Sequence, residues 1–209
     1  LIEVLLIRHA QSEANINAHL VGGRTETTPL SPLGQQQAQQ LGSLLYSNAK
    51  KPTKIIASPA VRAQQTARIV MAEFVDMPAI ETVHEVHEMS QGTFEGQPRE
   101  QVYTAKARQR MEVSGKAFKL DCPEAESMDD VAKRMNTFIT QTVQQAQAGD
   151  MVFIFTHGVA ISCYVSHVLN LNHEETFQLT RRLPNASVTK LLFTNSEYHP
   201  EIVYVGKTA

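Results

Sequence analysis

Apolar residues in this chain fall into short unbroken runs separated by longer stretches of helical period. Val4 to Ile7 is one such run, Lys54-Ile55-Ile56-Ala57 is shorter, and Met151-Val152-Phe153-Ile154-Phe155 is the clearest. Unbroken runs of this length predict strands covered on both faces. Ser187 to Phe193 and Ile202 to Val205 predict two late strands. Between them the spacing changes. Leu33, Ala38, Leu41, Leu44 and Leu45 draw an apolar stripe through the glutamine cluster Gln35–Gln40, behind the helix-start pair Ser31-Pro32. Ser58-Pro59 predicts the cap of a second helix, with Val61, Ile69 and Val70 turned inward. Ser127 and Asp130 have capping-box spacing, followed by Val131, Met135, Phe138, Thr142 and Ala146, with Gly149 ending the helix. A further helix is expected from about Gly158 to Leu169.

Strands alternating with helices predict an α/β fold: a three-layer sandwich with a mainly parallel central sheet and helices on both faces. Neither a Gly/Ser- or Pro-rich linker nor a repeat divides the chain, so residues 1–209 read as a single domain.

Composition narrows the function classes. Apolar residues make up 42% and charged residues 19%, enough to bury a core without disulfides or metal. Lys and Arg number 19 against 21 Asp and Glu, a formal charge of −2, which argues against a general nucleic-acid binder. No apolar stretch approaches the ~18 residues of a membrane helix. The amino-terminal run has no basic leader and no small-residue cleavage site, and reads as a first strand rather than a signal peptide. Cys122 and Cys163 form no CxxC pair. The expectation is a cytoplasmic protein with two ordinary thiols, which makes Asn185-Ala186-Ser187 a chance glycosylation sequon.

Candidate chemistry gathers at three strand-to-helix junctions. The first strand ends in Arg8-His9, the second leads into Ser58-Pro59-Ala60-Val61-Arg62, and the strongest ends in Thr156-His157-Gly158. Taken singly, these residues have plain readings: a polar strand end, a surface arginine, a junction histidine. Their joint placement changes the reading. The carboxyl ends of parallel strands form the ligand crevice of an open α/β sheet, where helix N-termini favour an anion. A phosphate is the guest that fits.

At this point the residues resemble a known family. Arg8-His9-Ala10-Gln11-Ser12-Glu13-Ala14-Asn15 resembles the Arg-His-Gly-x-Ser-x-x-Asn signature of the histidine phosphatase superfamily, which is phosphoglycerate mutase-like in fold. Ser58 to Ala67 looks like its second arginine block, Glu88 to Gly96 its acid loop, and Thr156-His157-Gly158 its second histidine. Pro123-Glu124-Ala125-Glu126-Ser127 is similar to the segment opening a late helix in the phosphatase branch. The order matches over nearly the whole chain.

The resemblance implies a phosphohistidine mechanism without cofactor or metal, of the histidine acid phosphatase type, on a small-molecule phosphate ester. His9 would attack phosphorus as a neutral imidazole, while Arg8 and Arg62 present planar forks of donors to phosphoryl oxygens. His157 would donate to an equatorial oxygen, Asn15 would add a neutral donor, and the Gly158 backbone would assist. Gly22, with Gly23, would line the substrate mouth. Glu88 would be the general acid, then the base that activates water. A bound phosphate would push that carboxyl toward its protonated form, and a pH–rate profile unaltered by Glu88→Gln would count against the role. Glu95 is its rival; the offset of Glu88 from Gly92 fits the acid loop better. Ala10 replaces the usual glycine, which matters only if the backbone there must approach phosphate closely. Family habit suggests a homodimer, with no nucleic-acid or membrane partner.

Other signals carry less. His84-Glu85-Val86-His87 lacks the four-residue spacing and the glutamate frame of a zinc HExxH motif. Arg99, Lys106, Arg108, Arg110, Lys116 and Lys119 read as a solvated helix, or as an electrostatic lip for multiply anionic substrates. A cofactor-dependent phosphoglycerate mutase is the alternative enzyme. Mutases of the family carry arginine and tyrosine after the acid and a paired-arginine segment further on. Here Glu88 precedes Met89-Ser90-Gln91, and the only arginine pair, Arg181-Arg182, follows His157. An inactive phospholigand-binding module is the reading from another class; such relatives usually lose the nucleophile or an arginine, and this chain keeps each.

Overall fold

The computed structural model describes residues 1–105, 119–194 and 199–209. Six strands form one sheet: β1 (Ile2–Arg8), β2 (Lys54–Ala57), β3 (Ile80–Thr82), β4 (Met151–Thr156), β5 (Val188–Phe193) and β6 (Glu201–Lys207). Their order is β3-β2-β4-β1-β5-β6. The first four in that order are parallel, and β5 and β6 extend the sheet antiparallel beyond β1.

The unbroken apolar runs are explained by the two sides they face. Val4 and Leu6 of β1 join Val152 and Ile154 of β4 in one core cluster, packed under α5 (Met128–Gln145) and α6 (Gly158–Leu169). Leu5 and Ile7 point the other way, with Phe153 and Phe155, against α2 (Pro32–Asn48) and α3 (Val61–Met71). Each fully buried side chain of this kind contributes roughly 1.5–3 kcal/mol. The fold is the three-layer α/β sandwich expected. Short helices α1 (Glu13–Ile16) and α4 (Arg99–Val102) lie near the strand ends, and α7 (His173–Arg182) follows α6.

Several elements differ from expectation. The cap of α3 is Ala60 rather than Ser58, because the helix begins only at Val61; Ser58 Oγ lies instead 2.7 Å from His157 Nε2. Val61 and Ile69 of that helix are only half-buried; its inward face is Ala63, Thr66, Ala67 and Val70. Helix α5 stops at Gln145, and Gly149, at φ +99°, serves the turn into β4. Strand β3 has no signal in the sequence: its three residues include one half-buried isoleucine and no alternation to detect. Helix α7 is mostly exposed and lacks an apolar stripe; its Asn172–Glu175 capping box is the available signal. Lys106, Arg108, Arg110 and Lys116 of the basic stretch lie outside the described residues. Among the described residues, no helix is long and apolar enough to cross a membrane, and Cys122 and Cys163 are free thiols.

Register brings the three junctions together. Arg8 lies opposite Thr156, and Ala57 lies opposite Phe155 on the other side of β4. His9, Ser58 and His157 therefore leave the sheet side by side.

Candidate active site

A cleft of about 590 Å³ opens above these strand ends. Arg8, His9, Arg62 and Glu88 line it, with Ser12 and Asn15 from the start of α1 and the segment Val21–Gly23. His157 and Gly158 are not part of that lining; they are buried behind it.

His9 is 4% exposed, and its Nδ1 lies 2.7 Å from the carbonyl oxygen of Ala10. A carbonyl can only accept, so Nδ1 carries the proton and Nε2 keeps its lone pair. Burial, then the charges of Arg62 and Arg8, hold this imidazole well below its usual pKa, so it is neutral at pH 7. Its carbonyl accepts from Ala186 N–H (3.2 Å) and Asn185 Nδ2 (3.1 Å). The Ala10 N–H donates to Thr66 Oγ1 at 3.1 Å. The methyl of Ala10 is fully buried in the second core cluster and is not part of the cleft wall, which removes the concern over the missing glycine.

Arg8 donates from Nη1 to the Leu183 carbonyl. Its Nε is buried without a partner among the described residues. Gly158 abuts this guanidinium: a β-carbon there would stand 3.2 Å from Nε. Arg62, 5% exposed in the first turn of α3, donates to the carbonyls of Thr25 (2.6 Å) and Gly23 (3.0 Å). Burial lowers the pKa of both arginines, partly offset by the Glu88 charge. Among the described residues, neither guanidinium has a carboxylate within ion-pair distance. Two nearly buried cations without a counter-ion are costly, and an anion between them relieves that cost.

Glu88 is held at three points. Its carboxylate accepts from the N–H groups of Ala160 (3.1 Å) and Val159 (3.2 Å) at the start of α6, and from its own neighbour Met89 (2.9 Å). Its carbonyl accepts from Arg24 and Arg134. Its N–H donates to Nδ1 of His87 at 2.8 Å. Glu95 plays a different part, because one of its oxygens clips two loops together. That oxygen accepts from the N–H groups of Arg24 (3.0 Å) and Gln91 (2.9 Å).

His157 is fully buried, its Nε2 lying 2.7 Å from Ser58 Oγ and its Nδ1 without a partner among the described residues. Its ring meets that of His9 edge-on at 5.1 Å and stacks on His87 at 5.4 Å. Burial, then Arg62 and the neighbouring histidines, depress its pKa; His87 is lowered to about 3 by burial and nearby arginines. Asn15, on the cleft wall, turns Oδ1 back to the Ser12 N–H (3.0 Å) and to Asn185 Nδ2 (3.2 Å). Gly22 lines the cleft. Arg99 lines the outer cleft, stacked over Tyr103 at 4.8 Å.

Sequence reasoning missed Thr66, His87, Ser58 as the partner of His157, and Asn185. His87 could have been flagged as the neighbour of Glu88; the others support backbone or ring atoms that no motif spacing specifies. Among the described residues, no group of three His, Cys, Asp or Glu side chains is placed to hold a metal ion.

A family model for the histidine phosphatase superfamily (branch 1) matches residues 4–206. The chain belongs to that superfamily. A curated relative of this chain is the probable phosphoglycerate mutase GpmB of Yersinia enterocolitica, 26% identical over 95% of this chain and 88% of the relative. Among solved structures, phosphoserine phosphatase from Entamoeba histolytica, in complex with 3-phosphoglyceric acid, has a TM-score of 0.81 at 21% identity, covering 100% of this chain and 98% of that one. The mycobacterial glucosyl-3-phosphoglycerate phosphatase gives 0.79 at 20%, covering 99% of each chain. These likenesses show the fold.

Proposed function

We propose that this histidine phosphatase is a metal-independent phosphomonoesterase that hydrolyses small phosphorylated metabolites through a phosphohistidine on His9. The observation that carries the reading is the pairing of Arg8 and Arg62, nearly buried and, among the described residues, without a carboxylate in contact, with a neutral imidazole whose Nε2 is unprotonated.

In the first step, the Nε2 lone pair forms the P–N bond as the P–O bond to the alcohol breaks. Glu88 gives its proton to the departing oxygen. In the second, water attacks phosphorus, Glu88 takes its proton, and the P–N bond breaks to release phosphate. Arg8, Arg62 and Asn15 act on the charge spread over the phosphoryl oxygens, while His157 supports the His9 ring edge-on from behind; losing one such preorganised donor typically costs ~10²–10³ in rate. His9 stays neutral well below pH 6.5, which supports turnover on the acid side of neutrality.

The test is phosphate release from p-nitrophenyl phosphate in EDTA, with His9→Ala alongside. Activity that survives chelation and vanishes in the variant is the expected result; equal activity in both overturns the assignment. The name of the Yersinia relative favours a second reading, phosphoglycerate mutase. Against it, Arg181 and Arg182 lie at the exposed end of α7 and outside the cleft lining. Interconversion of 2- and 3-phosphoglycerate faster than phosphate release would decide for the mutase.

A further inference from the structure

A half-buried ionic cluster stands directly behind the acid loop. Glu126, in the turn before α5, accepts from Arg24 Nη2 at 2.8 Å and from Arg134 Nε and Nη2 at 2.9 and 3.0 Å. Its second oxygen also takes the Ser90 N–H at 2.9 Å, and its own N–H donates to the Ser90 carbonyl at 2.9 Å. Burial alone would raise this carboxyl's pKa; the Arg134 fork, its charge, the Ser90 N–H and Arg24 outweigh it and hold the group ionised. Both arginines then spend a remaining donor on one atom. Arg24 Nε and Arg134 Nη2 reach the carbonyl oxygen of Glu88 at 3.2 and 3.0 Å.

The same cluster reaches the phosphate side of the cleft. Arg24 sits between Gly23 and Thr25, whose carbonyls hold the Arg62 guanidinium. Glu126 therefore lies where the segment fixing a phosphate-binding arginine meets the loop bearing the acid. A carboxyl that must protonate a departing oxygen needs placement within roughly 0.5 Å.

We infer that Glu126, through Arg24 and Arg134, is the positioning residue that sets Glu88 against the leaving oxygen. The inference rests on the reading of Glu88 as general acid. It makes a prediction that general loosening of the fold does not, because the need for an acid depends on the leaving group. Phenol, with a pKa near ~10, departs poorly unless protonated; p-nitrophenol is far more acidic and departs readily as its anion. The readout is the ratio of kcat/KM for p-nitrophenyl phosphate to that for phenyl phosphate. This quantity covers steps through release of the alcohol, so water attack on phosphohistidine does not enter it.

The ratio is measured for the unmodified protein and for Glu88→Gln, Glu126→Gln and Arg24→Gln. Glu88→Gln is expected to raise it by about a hundredfold. Glu126→Gln, nearly isosteric, should raise it about tenfold and Arg24→Gln about threefold, each on the scale of a misplaced catalytic group. Arg24 is partly exposed, so its variant decides the matter if Glu126→Gln does not fold. If Glu88→Gln raises the ratio while the other two lower both substrates in equal proportion, the inference is overturned and the acid assignment stands. If Glu88→Gln leaves the ratio unmoved, the acid assignment fails and the inference falls with it.

Discussion

Gly158 faces the guanidinium of Arg8 so closely that a methyl group there would lie 3.2 Å from Nε, tighter than an ordinary contact. Gly158→Ala therefore displaces Arg8 by a few tenths of an ångström. Shifts of that order cost roughly tenfold in kcat/KM, measured with p-nitrophenyl phosphate. Thermal stability should hardly change, because alanine in a helix offsets the crowding. Full activity in this variant would mean that Arg8 can yield without loss.

Thr66 links the two arginine blocks through its hydroxyl, which accepts from Ala10 N–H and donates to the Arg62 carbonyl at 2.7 Å. Thr66→Val keeps the shape and strands a buried N–H, at about 1–3 kcal/mol. For a chain of this size that is a fall of roughly 2–12 °C in Tm. Thr66→Ser, which keeps the hydroxyl, should recover most of it.

Stability should decline on acidification from pH 6.5. His9, His87 and His157 have folded pKa values depressed below the 6.5 of an unfolded histidine. Below that pH the unfolded chain takes up protons that the folded one refuses, so acid favours unfolding. Each group contributes up to about 1.4 kcal/mol of loss per pH unit, and for His87 the loss continues to about pH 3. Urea midpoints between pH 7 and 5 measure this. His87→Asn, which can still accept the Glu88 N–H, should flatten the slope by one proton's worth; a flat profile in the unmodified protein would remove the basis for three neutral histidines.

Glu88 and Glu95 are separable by the same substitution. Glu95→Gln retains the oxygen that accepts from Arg24 and Gln91, so kcat/KM for phenyl phosphate should fall less than about threefold. Glu88→Gln removes the transferable proton and should cost at least ~10². The reverse ranking would exchange the two roles.

Much of this molecule is legible from its sequence. The doubly buried runs at 4–7 and 151–155 announce central strands because nothing but two apolar layers explains them. His9, Arg62 and His157 are legible because junction residues inherit their position from the strand or helix beside them, whereas Glu88, in a loop after a short 3-10 turn, is legible only through the acid-loop motif. Strand β3 is hidden because three residues at a sheet edge carry no period. Asn185 is hidden because its contact, with the His9 carbonyl, joins distant segments through an amide that suits any surface loop equally well. Glu126 is visible as part of a motif, but its arginine partners come from separate segments that only tertiary packing brings together.

The strand order has a consequence for how the chain acquires its chemistry. β1 and β2 come early and carry His9 and Ser58, yet they are not neighbours; β4, from the far half of the chain, fills the slot between them. Until that strand inserts, the nucleophile has no His157 beside it, and Glu88 has no helix start to rest on. Such distant pairing is closed late and slowly in folding. A nascent chain ending before residue 150 would carry an open seam with unpaired edges, the kind of surface that sticks to other chains. Catalytic competence should therefore appear in a single late event during synthesis, as the seam closes.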